Sequence, residues 1–243
     1  MLKNIKPLIK IFSYRSTIAL SLSTNSLTKQ IIVSSFPRSG STFISDFLSK
    51  YFDLPCPRKY YHPLFIDSVI HSHIGYVKSL RPRVYVYRNP MNCLLSYFIK
   101  TNKYSQGSFS DDFDNFVKNA FKRPYGSRLN WTNHVNSWTK PKTEIDKNYF
   151  IFKYELIMND PEKELKNMVE KILPSFKINS LDQERLDLCI KLTSKKSMKR
   201  SPNAQTTFNQ FNQDSLLMDI LPSTKDFLIK KCGKQMDTLG YNI

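Results

Sequence analysis

Residues 31–42 have the sequence IIVSSFPRSGST, in which a short apolar run typical of a β-strand ends at Pro37 and leads into a small polar loop. Apolar side chains then occupy positions 43, 44, 47, 48, 51 and 52, which is the spacing of one face of an α-helix. A strand that leads directly into a helix is the repeating unit of a parallel sheet. This stretch therefore predicts an α/β fold.

The same strand-then-helix pattern recurs twice along the chain. Residues 84–87 form a second apolar run before Pro90, and residues 149–152 form a third before Asp160-Pro161, a helix N-cap with proline in the first turn. The periodicity predicts four further helices, at 111–122, 129–138, 181–195 and 222–239, of which the first two form an insert between the second and third units. We expect one domain, a three-layer parallel sheet with helices on both faces.

The loop after the first strand has the composition of an anion site. Such a loop exposes backbone N–H groups at the positive end of the helix dipole. Gly40 allows the backbone to approach an anion closely, and Ser41 and Thr42 add hydroxyl donors. Arg38 adds a guanidinium that suits phosphate or sulfate oxygens. We predict that residues 38–42, Ser39 included, bind a phosphate group.

This loop differs from a Walker A motif. The pattern GxxxxGK[ST] requires an upstream glycine and a lysine before the hydroxyl residue, but a serine stands where that glycine belongs and no lysine follows Gly40. The missing lysine argues against a small nucleotide kinase. No acidic residue lies near the loop in the Walker B manner, so no metal is predicted.

The charge of the chain favours an anionic partner. There are 37 Lys plus Arg and 20 Asp plus Glu, a formal net charge of +17. Such an excess fits nucleic acid, anionic lipid or a ligand with several phosphates or sulfates. The basic residues are spread along the chain and form no long run, so we expect no nucleic-acid partner.

A second motif follows the second strand. Arg88 is followed by Asn89-Pro90, and Ser96 comes eight residues after Arg88. An arginine at the end of a strand and a serine one to two turns into the next helix can converge on one anion. With the loop at 37–42, this element resembles the sulfotransferases that use 3′-phosphoadenylyl sulfate (PAPS), many of which have P-[KR]-S-G-[ST]-T in the first loop.

That resemblance implies a P-loop-NTPase-like sulfotransferase fold, PAPS as co-substrate and 3′-phosphoadenosine 5′-phosphate (PAP) as product. It implies that Arg88 and Ser96 hold the 3′-phosphate of the nucleotide. It also implies that Phe43 stacks on the adenine, with Tyr154 and Thr193 nearby. The chain departs from the family where Lys195 replaces a phenylalanine beside the adenine, and where a late Arg-Lys-Gly segment is missing.

Sulfuryl transfer requires a base that takes a proton from the acceptor. The chain has four histidines. By its register with the family's Lys-Thr-His segment, His73 is the predicted base and His71 stands in place of the lysine. Arg38 would stabilise the charge on the leaving phosphate oxygen. His71, His134 and Tyr61 are candidates for acceptor binding, with a packing role as the alternative for His134.

The N-terminal segment has its own composition. Residues 1–45 contain no acidic residue and include several lysines, arginines and serines, which resembles an organelle transit peptide or a segment with weak membrane-surface contact. A mobile basic leader is the alternative. We assign residues 1–28 to this segment and residues 29–243 to the sulfotransferase domain. No apolar run is long enough to predict a transmembrane helix.

The four cysteines have no paired or metal-type spacing, and Cys93 and Cys189 lie in apolar runs, as buried free thiols do. This pattern predicts a reducing compartment and a cytoplasmic location, with organelle targeting as the other possibility.

The predicted function is transfer of the sulfuryl group of PAPS to a hydroxyl or amine of an acceptor. The acceptor can be a carbohydrate, a lipid, a small molecule or a protein, and the sequence does not choose among them. The alternative from another class is a catalytically silent protein of the same fold that binds a nucleotide or polyanion. The missing Arg-Lys-Gly segment and Lys195 favour this alternative, whereas the retained Arg38, His73, Arg88 and Ser96 oppose it.

Overall fold

The structure of the protein is a computed structural model that describes residues 16, 28–57, 66–79, 81–101, 109–122, 129–139, 148–193 and 217–241. Four strands run through this part of the chain: β1 (Gln30–Ser35), β2 (Ser68–Ser72), β3 (Arg83–Tyr87) and β4 (Tyr149–Lys153). The α-helices are α1 (Ser41–Phe52), α2 (Pro90–Thr101), α3 (Phe109–Lys122), α4 (Trp131–Thr139), α5 (Tyr154–Asn159), α6 (Pro161–Ile172), α7 (Gln183–Thr193) and α8 (Pro222–Thr238). A short 3₁₀-helix, Leu173–Phe176, follows α6.

The strands form one parallel sheet in the order β2-β1-β3-β4. After β1 the chain forms β2 on one side of β1 and then crosses over to form β3 on its other side. The strand order therefore reverses between the carboxyl ends of β1 and β3. We call this position the switch point, and it is where ligands bind in open α/β sheets. The predicted phosphate loop at 38–42 follows β1. The second predicted motif, which runs from Arg88 to Ser96 and is called the arginine motif below, follows β3.

Helices cover both faces of the sheet. On one face, β1 side chains such as Ile31 and Val33 pack with α1, α6 and α7 in a single core. On the other face, Tyr85 of β3 stacks on Trp138 of α4, with ring centroids 4.8 Å apart. Helices α2, α3, α4 and α8 share a second core on that side. These two cores confirm the predicted three-layer α/β fold and the helical insert between β3 and β4.

Local sequence signals explain where several elements begin. All six residues of β1 are buried, as expected for a strand covered on both faces, and its centre is the apolar run Ile31-Ile32-Val33. Asp160 caps α6 by accepting a hydrogen bond from the Lys163 N–H at 3.1 Å, and Pro161 occupies the first turn. Pro90 likewise begins α2.

The sequence did not predict two elements that affect the site. Strand β2 contains only two apolar residues, Val69 and Ile70, between polar ones, so no strand was expected there. Helix α5 is a short helix that begins directly at the end of β4. Because β2 pairs with β1, it brings His71 to the carboxyl end of the sheet, and His73 follows.

Three further predictions concern the cysteines, membrane-spanning helices and the N-terminal segment. All four cysteines are free thiols, and Cys93 and Cys189 are buried as predicted. Within the described residues, no helix is both long and apolar enough to cross a bilayer. The N-terminal segment at 1–28 lies almost wholly outside the described residues, as do Tyr61 and Lys195.

Candidate functional site

The loop between β1 and α1 has the backbone geometry of an anion site. Arg38 and Gly40 both have left-handed backbone angles, with φ of 69° and 93°. The Ser39 N–H donates to the Phe36 carbonyl at 3.2 Å, which closes the turn, and the Ile44 N–H donates to the Gly40 carbonyl at the start of α1. The loop therefore curls over the N-terminus of a twelve-residue helix, where the dipole attracts negative charge.

Glycine is required at position 40 for two reasons. Its φ of 93° is unfavourable for residues with a side chain. A Cβ atom at this position would also overlap the ring of Tyr154, far inside van der Waals contact. Tyr154 follows β4, so this contact joins the loop after β1 to the end of β4.

Two arginines meet at the switch point. The Arg38 Nε–H donates to the Ser96 hydroxyl at 3.0 Å, and the Arg88 Nη1–H donates to the Arg38 carbonyl at 3.2 Å. The Arg88 guanidinium also lies over the Tyr154 ring, 4.6 Å from its centroid. Burial lowers the pKa of Arg38, and the neighbouring charge of Arg88 lowers it further. Two adjacent, partly buried cations form a site that an anion with several charges would stabilise.

The chain segment that carries Arg88 is held by hydrogen bonds that involve Trp131, Glu155 and Tyr241. The Arg88 carbonyl accepts a hydrogen bond from Trp131 Nε1 at 3.1 Å. One oxygen of Glu155 accepts from the Asn89 N–H at 2.9 Å, and the other accepts from the Tyr241 hydroxyl at 2.9 Å. Glu155 and Tyr241, for which the sequence predicted no role, thus hold the chain segment that carries Arg88 and Asn89.

Two histidines from the end of β2 face this loop. His71 Nε2 lies 2.8 Å from the Ser41 hydroxyl, which is also 2.8 Å from the Ser35 hydroxyl. His73 Nδ1 lies 2.9 Å from the Ser35 carbonyl. A carbonyl oxygen only accepts hydrogen bonds, so Nδ1 of His73 carries the proton. The neutral His73 ring therefore has its lone pair on Nε2.

The electrostatic surroundings keep His73 neutral. Burial lowers its pKa from the ordinary value of 6.5, and the positive charges of Lys100 and Arg38 lower it further, while the hydrogen bond to Ser35 acts in the opposite direction. At neutral pH this imidazole is thus unprotonated, as a general base must be before it takes a proton.

His134 lies beneath the site rather than in it. The ring is completely buried on α4. Its Nε2–H donates to the His73 carbonyl at 3.3 Å, and its Nδ1 accepts from the Tyr85 hydroxyl at 3.0 Å. Because both nitrogens are engaged and no surface is exposed, the predicted acceptor contact of His134 is replaced by a packing role. It supports the backbone at His73.

Acid should destabilise the fold through His134. Burial lowers its pKa to about 4, from 6.5, so the unfolded chain binds this proton more readily than the folded one. The contribution to stability is complete above pH 6.5 and is lost as the pH falls towards 4. Between pH 7 and pH 5 we expect this residue to lower the free energy of unfolding by about 2 kcal/mol, measured by urea denaturation.

The His134→Gln variant is the control for this effect. It should be less stable at pH 7, because buried hydrogen bonds are lost, but its stability should fall less between pH 7 and pH 5. An equally steep loss in the variant would contradict the assignment.

Three other predicted contacts differ from expectation. Ser39 is fully buried and its hydroxyl lies 3.1 Å from Cys93 Sγ, so its side chain points into the protein and not towards an anion. Thr193 is fully buried and donates to the Cys189 carbonyl at 2.7 Å, so the expected nucleotide contact is not supported. Phe43 is half-buried and packs against the core shared by α1, α6 and α7, and Thr42 is half-buried beside it.

The described residues contain no cluster of three or more histidine, cysteine or acidic side chains arranged to hold a metal ion. Glu155 is the acidic side chain bonded to the arginine motif, and both of its oxygens accept hydrogen bonds from protein groups. The charge available for binding a ligand at this site is therefore positive.

The chain matches one protein family and several curated proteins. The family described as "Sulfotransferase domain" matches residues 62–216. The amine sulfotransferase of Oryctolagus cuniculus is 29% identical over 140 residues, covering 55% of this chain and 44% of the relative. Sulfotransferase 1A1 of Mus musculus is 31% identical over 129 residues, covering 51% of this chain and 40% of the relative. The matched segments thus span less than half the length of these curated relatives.

Solved structures share the fold. A mouse sulfotransferase, SULT7A1, crystallised with PAP, superimposes with a TM-score of 0.67 at 17% identity, covering 94% of this chain and 90% of the other. Retinol dehydratase in complex with retinol and PAP gives a TM-score of 0.55 at 16% identity, covering 93% and 84% of the two chains. Identities this low establish the fold alone. Since the family match extends over more than half of the sequence on this same fold, the chain belongs to the sulfotransferase domain family.

Proposed function

We propose that the protein transfers the sulfuryl group of PAPS to a hydroxyl or amine of an acceptor. The observation that carries the proposal is the convergence of Arg38, Arg88 and Ser96 at the switch point, next to the neutral His73. The PAP in the complexes of its structural relatives supports the same donor.

The donor would occupy the positive site between β1 and β3. The backbone at 38–42 and the N-terminus of α1 suit the 5′-phosphate, and Arg88 with Ser96 suits the 3′-phosphate. In the structure the Ser96 hydroxyl accepts from Arg38, so its own hydrogen is still available to donate to a phosphate oxygen. Tyr154 packs on Gly40 and under the Arg88 guanidinium, and this position between the two motifs supports its proposed contact with the adenine.

In the transfer step, His73 would act beside the attacking atom of the acceptor. Arg38 would act beside the leaving phosphate oxygen, on the opposite side of the sulfur. As the acceptor oxygen or nitrogen bonds to sulfur, its proton passes to Nε2 of His73. The bond from sulfur to the bridging phosphate oxygen breaks at the same time, and Arg38 stabilises the negative charge that forms on that oxygen. PAP and the sulfated acceptor are the products.

The experiment that tests this function is incubation of the full chain with PAPS and a panel of phenols, aliphatic alcohols and amines. Mass spectrometry would follow PAP and the sulfated products. We expect PAP to form in equal amount with one or more sulfated acceptors. Tight binding of PAP without any transfer to the panel would contradict the enzymatic proposal and favour a catalytically silent nucleotide-binding protein.

A further inference from the structure

The turn that follows α8 holds Tyr241 in a fixed backbone position. Gly240 has a left-handed backbone angle, with φ of 65°, and its N–H donates to the Asp237 carbonyl at 3.0 Å. The Tyr241 N–H donates to the Met236 carbonyl at 2.9 Å. These two bonds form a Schellman cap, in which glycine supplies the left-handed residue. The backbone at Tyr241 is therefore fixed by the end of the helix.

The Tyr241 side chain lies against the carboxyl ends of two strands. Lys153 ends β4; its Nζ donates to the Gly240 carbonyl at 2.9 Å and lies 4.0 Å from the centroid of the Tyr241 ring. Tyr87, which ends β3, meets the same ring edge to face, with centroids 6.1 Å apart. Only 8% of Tyr241 is exposed. Its ring is thus packed beside the strand that leads into the arginine motif.

The Tyr241 hydroxyl orients the carboxylate of Glu155. It donates to Oε2 of Glu155 at 2.9 Å, while Oε1 accepts from the Asn89 N–H at 2.9 Å. Burial raises the pKa of Tyr241, and the charge of Glu155 raises it further, so the hydroxyl keeps its proton and acts as the donor. Loss of this hydroxyl would remove one of the two hydrogen bonds that orient the carboxylate.

Glu155 in turn holds the peptide group that joins Arg88 to Asn89. The N–H of this peptide is the group that donates to the carboxylate. Tyr154, the neighbour of Glu155, lies under the Arg88 guanidinium, 4.6 Å from ring centroid to carbon. Asn89 also caps α2, the helix that carries Ser96. The carboxylate therefore fixes the point from which both proposed ligands of the 3′-phosphate extend.

We propose that Tyr241 is a positioning residue for the 3′-phosphate site and acts through Glu155 on the peptide that carries Arg88. This inference rests on the proposed sulfotransferase function, which assigns Arg88 and Ser96 to the 3′-phosphate. The hydroxyl of Tyr241 strengthens the binding of nucleotides that have a 3′-phosphate. It contributes little to the binding of the 5′-phosphate, for which the loop at 38–42 is the proposed site.

The test is calorimetric titration of the full chain and its variants with PAP and with AMP, which differ by the 3′-phosphate. Tyr241→Phe removes only the hydroxyl. Glu155→Gln is the conservative variant, because its amide oxygen can accept from the Asn89 N–H while its nitrogen donates to the Tyr241 oxygen. Tyr51→Phe is the matched control. Tyr51 is also buried, and its hydroxyl accepts from the Asp182 N–H at 3.1 Å, in the last turn of α1 and so away from the phosphate loop.

Tyr241→Phe should weaken PAP binding by about tenfold, the scale of one charge-assisted hydrogen bond, and should leave the Kd of AMP unchanged. Tyr51→Phe should preserve the wild-type preference for PAP over AMP. Glu155→Gln should preserve or raise that preference, since the charge it removes is negative. Equal losses of PAP and AMP affinity in Tyr241→Phe, the same loss of PAP affinity in Tyr51→Phe, or a lower preference in Glu155→Gln would overturn the inference.

The wild-type titrations separate this inference from the proposed function. A wild-type chain that does not bind PAP would contradict the proposed function itself. A wild-type chain that clearly prefers PAP over AMP, together with a Tyr241→Phe variant that keeps this preference, would leave the donor site standing and overturn only the role of Tyr241.

Discussion

Replacing His73 with asparagine should lower kcat by about 10² to 10⁴-fold, the usual contribution of a general base. In the structure Nδ1 of His73 donates to the Ser35 carbonyl, and an asparagine amide can supply a donor at nearly the same place. The variant loses only the Nε2 lone pair that would take the acceptor proton. Steady-state kinetics with PAPS and any acceptor found in the panel would measure the effect.

PAP affinity is the control for this variant. His73→Asn should bind PAP as the wild type does, whereas His73→Ala should be less stable because the Ser35 carbonyl loses its donor. Wild-type turnover by His73→Asn would exclude His73 as the base. Loss of PAP binding in His73→Asn would show instead that His73 contacts the nucleotide or supports the loop.

Replacing Arg38 with alanine should lower kcat by about 10² to 10³-fold, as for the loss of a group that stabilises charge in the transition state. Arg38 lies at the start of the phosphate loop, and its Nε–H is held by Ser96. Its carbonyl, which binds Arg88, is unaffected by truncation of the side chain. The chemical step should therefore suffer more than the arrangement of the donor site.

Arg38→Lys and Arg185→Ala are the controls. Lysine keeps the charge but not the planar fork, so an intermediate kcat is expected. Arg185 lies on α7 and donates to the Lys50 carbonyl, outside the loop, so its loss should leave kcat unchanged. Near-normal turnover in Arg38→Ala would exclude the role that we assign to this side chain.

The elements that could be predicted are those whose own sequence has the apolar run of a strand or the periodicity of a helix. Apolar and aromatic runs at 31–33, 84–87 and 149–152 mark β1, β3 and β4, whose sheet is covered by helices on both faces. Strand β2 could not be predicted, since Ser68, His71 and Ser72 interrupt its short apolar run. His71 and Ser72 lie at the carboxyl end of β2, beside the loop, and there His71 contacts Ser41.

The site was predictable only in part. Arg38 and Arg88 follow predicted strands, so topology alone brought them together. Glu155 was not assigned because its partner Tyr241 lies 86 residues further along the chain. The inward orientation of Ser39 and the buried position of His134 depend on tertiary packing against Cys93 and Tyr85, which spacing in the sequence does not encode.

The measurement that tests the donor site most directly is a thermal melt of the full chain with PAP, with AMP and ATP as controls. At about 100 times its dissociation constant, PAP should stabilise the fold by about 2.7 kcal/mol. For a chain of this size that corresponds to a rise in Tm of roughly 5–10 °C. We expect this rise with PAP and a clearly smaller one with AMP, because AMP lacks the 3′-phosphate that Arg88 and Ser96 would bind. Equal shifts with PAP and AMP, or none with either, would contradict a 3′-phosphate site at the end of β3.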